Sequence, residues 1–365
     1  MEIGIIGLPQ SGKTTVFNAL THGAAATGGY SGGKQSNIGV AHVEDPRLKL
    51  LTDFYKPRKT VPAEIKYMDI PGQSPEMGKS EGFRGEYLLQ VSQVDALLHV
   101  VRAFRNDTVP HITGSVDPIR DIDTMEVELA FADLAVVERR IQRVQQNMKA
   151  AKADQRQKAQ EEAIFLAKLK ANLEKDIPVR EMEFTDDEKK TLANYQFLTN
   201  KPILSILNMD EGNLDTAPAL RAQLEQKYGV NRRGFAHLCG KVEEELSQLP
   251  EDEAKEFRES LGVPEWDIQR VTLKSQQLLD LVTFFTGGED EVKAWPITRG
   301  TLAPQAAGKI HSDIERGFIR AEVIHIDDLL RVGSEAAARK QGLIRQEGKT
   351  YLVKDGDVIT FLFNV

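Results

Sequence analysis

The sequence predicts an α/β protein with a mostly parallel sheet, a helical insertion and a small C-terminal α+β unit. Apolar strand-like runs separated by helical or loop material recur at 2–6, 63–70, 95–101, 202–207 and 234–239. From 134 to 173 the apolar residues follow a helical spacing instead, and beyond about 283 short strand-like runs surround one helix. Alternating strands and helices are typical of parallel sheets with crossover connections.

The chain begins with a strand, a glycine-containing loop and a helix. Residues 2–6 ("EIGII") predict a buried strand, and "KTTVFNALTHG" predicts a helix that ends at Gly23. Between them, residues 7–14 ("GLPQSGKT") match G-x-x-x-x-G-K-[ST], a loop whose backbone N–H groups surround phosphates at a helix N-terminus. We expect Lys13 to reach the β- and γ-phosphates and Thr14 to bind Mg²⁺. Thr15 either contributes to this site or packs in the first helical turn.

A second phosphate-site element follows the strand "AEIKYM". Asp69-Ile70-Pro71-Gly72 fits D-x-x-G, in which the aspartate holds Mg²⁺ through water and the glycine senses the γ-phosphate. Gln73 comes next and is either the residue that orients the attacking water or a solvated loop glutamine. Together the two elements predict a P-loop NTPase of the switch type rather than a metabolic kinase, because nothing resembles a lid for an acceptor substrate.

The helical stretch predicts a hairpin. Leu134, Val137, Ile141, Val144 and Met148 are spaced 3, 4, 3 and 4 residues apart, and a second stripe ends at 173. This pattern favours either a projecting coiled-coil arm or an ordinary pair of surface helices. Residues 139–158 carry one acid, Asp154, and seven bases: Arg139, Arg140, Arg143, Lys149, Lys152, Arg156 and Lys158. Such an excess indicates contact with a phosphate backbone, such as that of rRNA, or else a solvated arm surface.

The C-terminal part predicts a small α+β unit. Residues 293–297 and 319–324 are strand candidates, a helix is expected at about 328–341, and two strands are expected around the turn signal "DGD" at 355–357. The region from about 23 to 39 is rich in Gly, Ala and Ser and predicts a loop.

Composition narrows the class of protein. Hydrophobic content of 41% and charged content of 28% are ordinary for a globular protein, and the net charge of −8 makes any nucleic-acid contact local. No apolar run reaches the roughly 20 residues that a membrane helix needs, so no membrane partner is expected. One cysteine, Cys239, excludes an internal disulfide framework and fits a reducing cytosol, so we expect a cytoplasmic protein.

The sequence resembles the YchF/Obg-like ATPase family, P-loop NTPases related to Obg. The similar stretches are "GIIGLPQSGKTTVFNALT", "GEYLLQVSQVDALLHVVRAF", "EVELAFADLAVVERRIQRV", "KPILSILNMDE", "EVKAWPITRGTLAPQAAGKIHSDIERGFIRAEVI" and "GDVITFLFNV". The resemblance implies a Ras-like nucleotide domain (1–127 and 200–282), an inserted helical coiled-coil arm (128–199) and a C-terminal ubiquitin-like β-grasp (TGS) domain (283–365).

The resemblance also implies site residues. The implied roles are catalysis for Lys13, metal binding for Thr14 and Asp69, and nucleotide binding for Gly7, Gln10, Ser11, Gly12, Lys13, Thr14, Thr15, Gly72, Asn208, Met209, Glu211, Cys239 and Gly240. Gln73 is a catalytic candidate on a different ground, because Ras-like GTPases use a glutamine there to orient the attacking water. Two departures point to a divergent subgroup. In the switch loop Asn37 aligns with the family's motif, but no threonine stands at the magnesium-binding place. Either Thr27, Ser31 or Ser36 substitutes, or the loop does not close over magnesium in the usual way. Gln73 stands where the family has a hydrophobic residue.

The stretch "NMDE" at 208–211 addresses the choice of base. In N-K-x-D sites the aspartate accepts hydrogen bonds from guanine, and adenine would leave it unpaired at a cost. Here the fourth carboxylate is the longer Glu211, and Met209 replaces lysine, offering apolar surface to a purine, while Asn208 can pair with the adenine edge. These residues predict ATP over GTP.

The predicted function is a slowly hydrolysing, Mg²⁺-dependent regulatory ATPase. The family resemblance implies association with the ribosome or rRNA through the basic arm 139–158 and the TGS-like domain. Two alternatives stay open: a nucleotide-gated binding protein with negligible turnover, which the missing switch threonine favours, and a GTPase of the same class.

Overall fold

The computed structural model describes residues 1–23, 37–70, 85–150, 152–229, 231–261 and 267–364. The α/β class predicted from the sequence is confirmed. The chain divides into two compact units. The first unit comprises Met1–Gly39 and Lys66–Val271, and the second comprises Val40–Ile65 and Thr272–Val365.

The secondary structure elements are numbered in chain order. The strands are β1 (Glu2–Ile6), β2 (Asn37–Val43), β3 (Lys59–Val61), β4 (Ala63–Asp69), β5 (Ala96–Ala103), β6 (Ile203–Met209), β7 (Arg233–Leu238), β8 (Leu281–Thr286), β9 (Glu291–Thr298), β10 (Phe318–His325), β11 (Arg345–Glu347) and β12 (Asp357–Phe363). The helices are α1 (Lys13–Thr21), α2 (Pro46–Tyr55), α3 (Gly85–Gln93), α4 (Pro118–Ala150), α5 (Ala153–Leu173), α6 (Asp186–Leu192), α7 (Ala217–Tyr228), α8 (Gly240–Leu246), α9 (Glu251–Leu261), α10 (Asp267–Leu278), α11 (Ala303–Ile310), α12 (Ser312–Arg316), α13 (Ile326–Val332) and α14 (Glu335–Lys340).

The first sheet has the strand order β2-β4-β1-β5-β6-β7. Strands β4, β1, β5, β6 and β7 pair in parallel and correspond to the five apolar runs of the sequence. Every residue of β6 is buried, as expected for a strand covered on both faces. Parallel strands place their carboxyl ends along one edge, which brings together the segments that follow β1, β4, β5, β6 and β7.

The helical segment is longer than its apolar stripe indicated. Helix α4 starts at Pro118 rather than near Leu134, because its first turns pack Met125 and Leu129 into the core of the first unit. Further along, α4 and α5 pack together through a second core that includes Val144 and Leu166. The description of this hairpin as a projecting coiled-coil arm stays a prediction.

Polar contacts fix the return of the chain from α5 to the first sheet. The carboxylate of Asp133 in α4 accepts hydrogen bonds from the backbone N–H groups of Leu198 and Thr199, both at 2.8 Å. Nearby, the carboxylate of Glu126 in α4 pairs with the guanidinium groups of Arg180 and Arg233, which are both buried. Because Arg233 begins β7, these pairs connect α4, the returning segment and the sheet.

The second unit contains a mixed sheet in the order β11-β10-β12-β8-β9-β3. Its core includes Val282, Phe284, Ile297 and Phe318. Residues 40–65, which precede Asp69 in the sequence, belong to this unit through β3, which pairs in parallel with β9.

Side chains hold residues 40–65 within the second unit. The Arg47 guanidinium donates to the Asp355 carboxylate at 2.7 Å and lies 5.3 Å from the ring centre of Phe285. The Tyr55 hydroxyl donates to the Glu335 carboxylate at 2.7 Å.

Two local predictions about the C-terminal part are wrong. The expected helix at 328–341 is two helices, because Gly333 adopts a left-handed conformation (φ 75°) and ends α13. Only one of the two strands expected around "DGD" forms, namely β12. The preceding residues Tyr351 and Val353 pair their backbone with Ala303 and Thr301 instead of with β12.

Two sequence interpretations are not decided by this architecture. Most of the loop expected at 23–39 lies outside the described residues. The three-domain division also stays a prediction, since the two compact units are drawn differently and assign 40–65 to the second unit. Among the described residues, no helix combines the length and apolar character needed to cross a membrane.

Candidate nucleotide-binding site

The loop between β1 and α1 has the backbone shape of a phosphate-binding loop. Gly12 lies directly before α1 in a left-handed conformation (φ 90°), and a Cβ atom there would stand 2.2 Å from the Asn208 side chain. At Gly7, a Cβ atom would stand 2.5 Å from the carbonyl oxygen of Val100. Gln10 is exposed and also left-handed (φ 64°). The glycines are therefore required by close approaches on both sides of the loop.

Lys13 lies across this loop. Its ammonium group donates hydrogen bonds to the carbonyl oxygens of Gly7 and Leu8, both at 3.1 Å. Burial lowers the pKa of Lys13 to about 8, and the charge of Asp69 acts in the opposite direction. Neutral carbonyl partners do not compensate the buried positive charge fully, so an anion is the ligand that this ammonium favours.

Thr14 and Asp69 meet at the carboxyl ends of β1 and β4. The Thr14 hydroxyl donates to the Asp69 carboxylate at 2.9 Å. Burial raises the pKa of Asp69, while hydrogen bonds from Thr14 and Asn37 and the charge of Lys13 oppose the shift. A hydroxyl and a carboxylate are oxygen ligands, which Mg²⁺ prefers, so the residues present fit this ion. The structure also places Asn37, the first residue of β2, next to the same carboxylate.

Asn208 connects two loops of the site. Its side-chain N–H donates to the carbonyl oxygen of Ser11 at 3.0 Å, and its side-chain oxygen accepts from the backbone N–H of Gly240 at 3.0 Å. Asn208 is 4% exposed. These two bonds leave one N–H and one lone pair for any base contact, so its observed task is to join the phosphate loop to the N-terminus of α8.

The predicted base-side residues near Asn208 lie in different environments. Met209 is buried in a core cluster with Val101 and Ala217, because consecutive residues of a strand point to opposite faces of the sheet. Glu211 is exposed and is the second residue after β6. Cys239 is buried before α8, and burial raises the pKa of its thiol, with the charge of Glu211 acting in the same direction. The structure therefore brings Glu211 and Cys239 near each other and places Met209 in the core.

Comparison with known proteins identifies the family. Over its full length the chain is 42% identical to the Bacillus subtilis protein named "Ribosome-binding ATPase YchF", covering 100% of both chains. It is 37% identical to "Obg-like ATPase 1" of Caenorhabditis elegans, covering 100% of this chain and 92% of that one. The chain belongs to the YchF family.

Further comparisons agree with membership of the YchF family. The solved structure described as the Schizosaccharomyces pombe YchF GTPase superposes with a TM-score of 0.85 at 29% identity, covering 99% of this chain and 97% of the other. Residues 2–132 match the profile described as "50S ribosome-binding GTPase". Residues 281–364 match the profile YchF-GTPase_C, described as a protein of unknown function. These names include both ATPase and GTPase, so the family name alone does not select the base.

Some predicted site residues are not placed by the structure. Gly72, Gln73, Thr27, Ser31 and Ser36 lie outside the described residues. Thr15 is described, half-buried in the first turn of α1. No group of three or more His, Cys, Asp or Glu side chains suited to a metal ion occurs in the part of the chain that the structure describes. A Thr14–Asp69 site for nucleotide-bound Mg²⁺ does not require such a group.

One residue of this site, Phe104, was not predicted from the sequence. The ring edge of Phe104 would lie 3.9 Å from a Cβ atom on Gly12. Phe104 directly follows β5, next to the end of β6, and ligands of parallel sheets bind beyond the carboxyl ends of the strands. An aromatic residue directly after an apolar strand was the available signal.

Proposed function

We propose that this chain is an ATP-binding, slowly hydrolysing P-loop NTPase that associates with the ribosome. The observation that carries the nucleotide part is the half-buried Lys13 ammonium beside the Thr14–Asp69 contact, at the N-terminus of a helix that follows a glycine-bounded loop. The names of full-length relatives support ATP hydrolysis and ribosome binding. The same names support a cytoplasmic location.

In this proposal Thr14 and Asp69 hold Mg²⁺, and Lys13 moves its hydrogen bonds from the loop carbonyls to the phosphates. When bound, the ion neutralises phosphate charge that develops during transfer. The backbone N–H groups from Gly7 to Gly12 orient the phosphates at the positive end of α1. Gln73 is proposed to orient the attacking water.

ATP is proposed over GTP because of Glu211. Its side chain is one methylene longer than the aspartate of a guanine site, so the carboxylate does not keep the two-point contact with guanine in register. Asn208 and the Cys239-Gly240 backbone complete the base side. Competition binding of ATP and GTP against one labelled nucleotide tests this choice, and equal or tighter GTP binding contradicts it.

Hydrolysis is tested by phosphate release with and without ribosomes. Wild type should release phosphate slowly, while Lys13→Ala should bind and hydrolyse poorly because the ammonium group that bonds to the loop carbonyls is removed. Gln73→Ala should bind ATP normally and lose turnover. Turnover at background level in wild type with ATP binding intact favours the alternative, a nucleotide-gated binding protein.

The ribosome contact is proposed to use the basic hairpin and the C-terminal, TGS-like residues 283–365. Arg139, Arg143, Lys152, Arg156 and Lys158 are exposed, so their charges are accessible to a phosphate backbone. Arg140 instead pairs with Glu162 at 2.7 Å.

A charge-removal experiment tests the hairpin contact. Replacing Arg139, Arg143 and Lys152 by alanine should weaken ribosome binding and flatten its salt dependence, because fewer counterions are released. Replacing Lys175, Lys189 and Lys190 by alanine, all exposed and outside residues 139–158, provides the matched loss of three charges elsewhere. Equal effects of the two sets contradict a hairpin contact.

A further inference from the structure

Arg102 is a buried arginine at the end of β5, directly opposite Asn208 in β6. It is 2% exposed. Its Nε donates to the carbonyl oxygen of Phe104 at 3.2 Å, and its Nη2 donates to the carbonyl oxygen of Val109 at 2.7 Å. Two ends of one short loop are thus bonded to a single planar group, which sets the conformation of residues 104–109.

The same guanidinium also contacts the aromatic ring of that loop. Its Cζ lies 4.5 Å from the centre of the Phe104 ring, within the range of a cation–π contact. The ring edge in turn stands beside Gly12 of the phosphate loop, close to the side chain of Asn208. Arg102 therefore fixes the orientation of an aromatic face at the border of the nucleotide site.

Asp210 holds the loop from the other side. Its carboxylate accepts hydrogen bonds from the backbone N–H of Arg105 at 3.3 Å and from the side chain of Asn213 at 3.0 Å. The carboxylates of Asp210 and Asp121 both favour the charged form of Arg102, whereas its burial lowers the pKa. The third residue of the "NMDE" stretch thus connects the end of β6 to the loop after β5.

We propose that Arg102 and Asp210 are positioning residues that hold residues 104–109 as one wall of the base pocket for a purine nucleoside triphosphate. This inference rests on the proposed nucleotide function. The ring edge of Phe104 faces the phosphate loop, and aromatic contacts with a base tolerate either purine. In this proposal the wall therefore determines affinity for the base and leaves the discrimination between purines to the side of Glu211. The phosphates are held elsewhere, by Lys13 and the loop of Gly7–Gly12.

A double-mutant cycle tests this arrangement on the full chain. Phe104→Ala and Arg102→Met should each raise the Kd for ATP about 5- to 20-fold, in the range of one lost base–aromatic stacking contact. The Kd of the double variant for ATP should exceed that of the weaker-binding single variant by no more than about 2-fold, because one residue acts through the other. Inorganic tripolyphosphate, which has no base, should bind all three variants as it binds wild type.

Further variants keep the test valid if Arg102→Met does not fold. Asp210→Ala removes the second support and should raise the Kd for ATP about 3- to 10-fold, again without changing tripolyphosphate binding. Arg102→Lys keeps the charge and one donor nitrogen in place of the planar guanidinium, and it should recover part of the ATP affinity. Phe131→Ala, at an aromatic residue of α4 that is 59% exposed, serves as the control and should leave both ligands unaffected.

The outcomes separate this inference from the proposed function. Unchanged ATP binding in folded Arg102 and Asp210 variants overturns the inference alone, as does an equal loss of ATP and tripolyphosphate binding or fully additive effects. If wild type prefers GTP, the same cycle is measured with GTP, since the wall accepts either purine. If wild type binds tripolyphosphate but neither nucleotide, both the proposed function and the inference fail.

Discussion

The buried side-chain amide of Asn208 donates a hydrogen bond to the carbonyl oxygen of Ser11 at a distance of 3.0 Å. With the reciprocal bond from the Gly240 N–H, this amide determines the distance between the phosphate loop and the N-terminus of α8. Its substitution therefore affects the assembly of the site before it affects the choice of base.

We expect Asn208→Ala to lower the free energy of unfolding by about 2 to 4 kcal/mol, because two buried backbone groups lose their partners. ATP and GTP binding should weaken together. Urea unfolding and nucleotide titrations measure both effects, and Asn147→Ala, at an exposed residue of α4, is the control. A loss confined to ATP would show that the amide reads the base directly.

Gly12 and Gly114 form a matched pair of left-handed glycines. Their φ angles are 90° and 81°, but a Cβ atom would meet Asn208 at 2.2 Å in the first case and nothing within 4 Å in the second. Gly114→Ala should cost about 1 kcal/mol of stability from backbone strain alone. Gly12→Ala should cost more and abolish tripolyphosphate binding. Similar stability losses with binding retained in both variants would contradict the crowding at Gly12.

The buried charges around Glu126 support a prediction about stability. Burial alone would raise the pKa of Glu126, but the positive charges of Arg180 and Arg233 outweigh it and lower the pKa. Glu126→Gln keeps the shape but removes the carboxylate that the two buried guanidinium groups share, and Glu181, 3.4 Å from Arg233, replaces it only in part, so we expect a loss of about 3 kcal/mol. Asp187→Asn removes an exposed ion pair with Lys190 and should leave the denaturation midpoint nearly unchanged, because exposed ion pairs contribute little to stability. Equal effects in chemical denaturation would argue against a buried triad.

Asp133 gives the protein a defined pH dependence. Burial raises the pKa of Asp133 to about 6, although hydrogen bonds from Thr199 and Leu198 oppose the shift. Between pH of about 4 and 6 the folded state holds a proton that the unfolded state has released. The stability contributed by this group is therefore complete below about pH 4 and is lost as the pH rises through 6.

Asp133→Asn should remove this dependence. Relative to the variant, wild type should lose about 2 to 3 kcal/mol of unfolding free energy between pH 4 and 7. Urea unfolding at several pH values gives the difference, and Asp107→Asn, at an exposed residue, reports the effect of removing one negative charge. A difference between wild type and Asp133→Asn that stays constant with pH would rule out the shifted carboxyl.

The parallel sheet and the phosphate loop could be predicted because their signals are local. An apolar run precedes the glycine-bounded loop at 7–14, and further apolar runs mark β4, β5, β6 and β7. The positions of these buried strands can therefore be predicted from short apolar runs. The meeting of Thr14 with Asp69 also follows, since the carboxyl ends of adjacent parallel strands share one edge.

Other features depend on contacts that no local pattern records. Met209 points to the face of the sheet opposite to Asn208. The side on which Asn208 lies is set by its hydrogen bonds to Ser11 and Gly240, which no local pattern records. The role of Arg102 depends on the carbonyl groups that surround it. The prediction of two strands around "DGD" was wrong because the backbone groups of Tyr351 and Val353 bond to Ala303 and Thr301, and not to the strand after the turn.

The pairing of β3 with β9 has a consequence for how the protein is made. Lys59 is synthesised more than 200 residues before its strand partner Glu291. Residues 40–65 therefore leave the ribosome long before the rest of their sheet exists, and the second unit is completed only when nearly the whole chain has been translated. No single contiguous stretch of the gene encodes this unit, so a truncation that keeps only 272–364 lacks an edge strand and the Arg47 partner of Asp355.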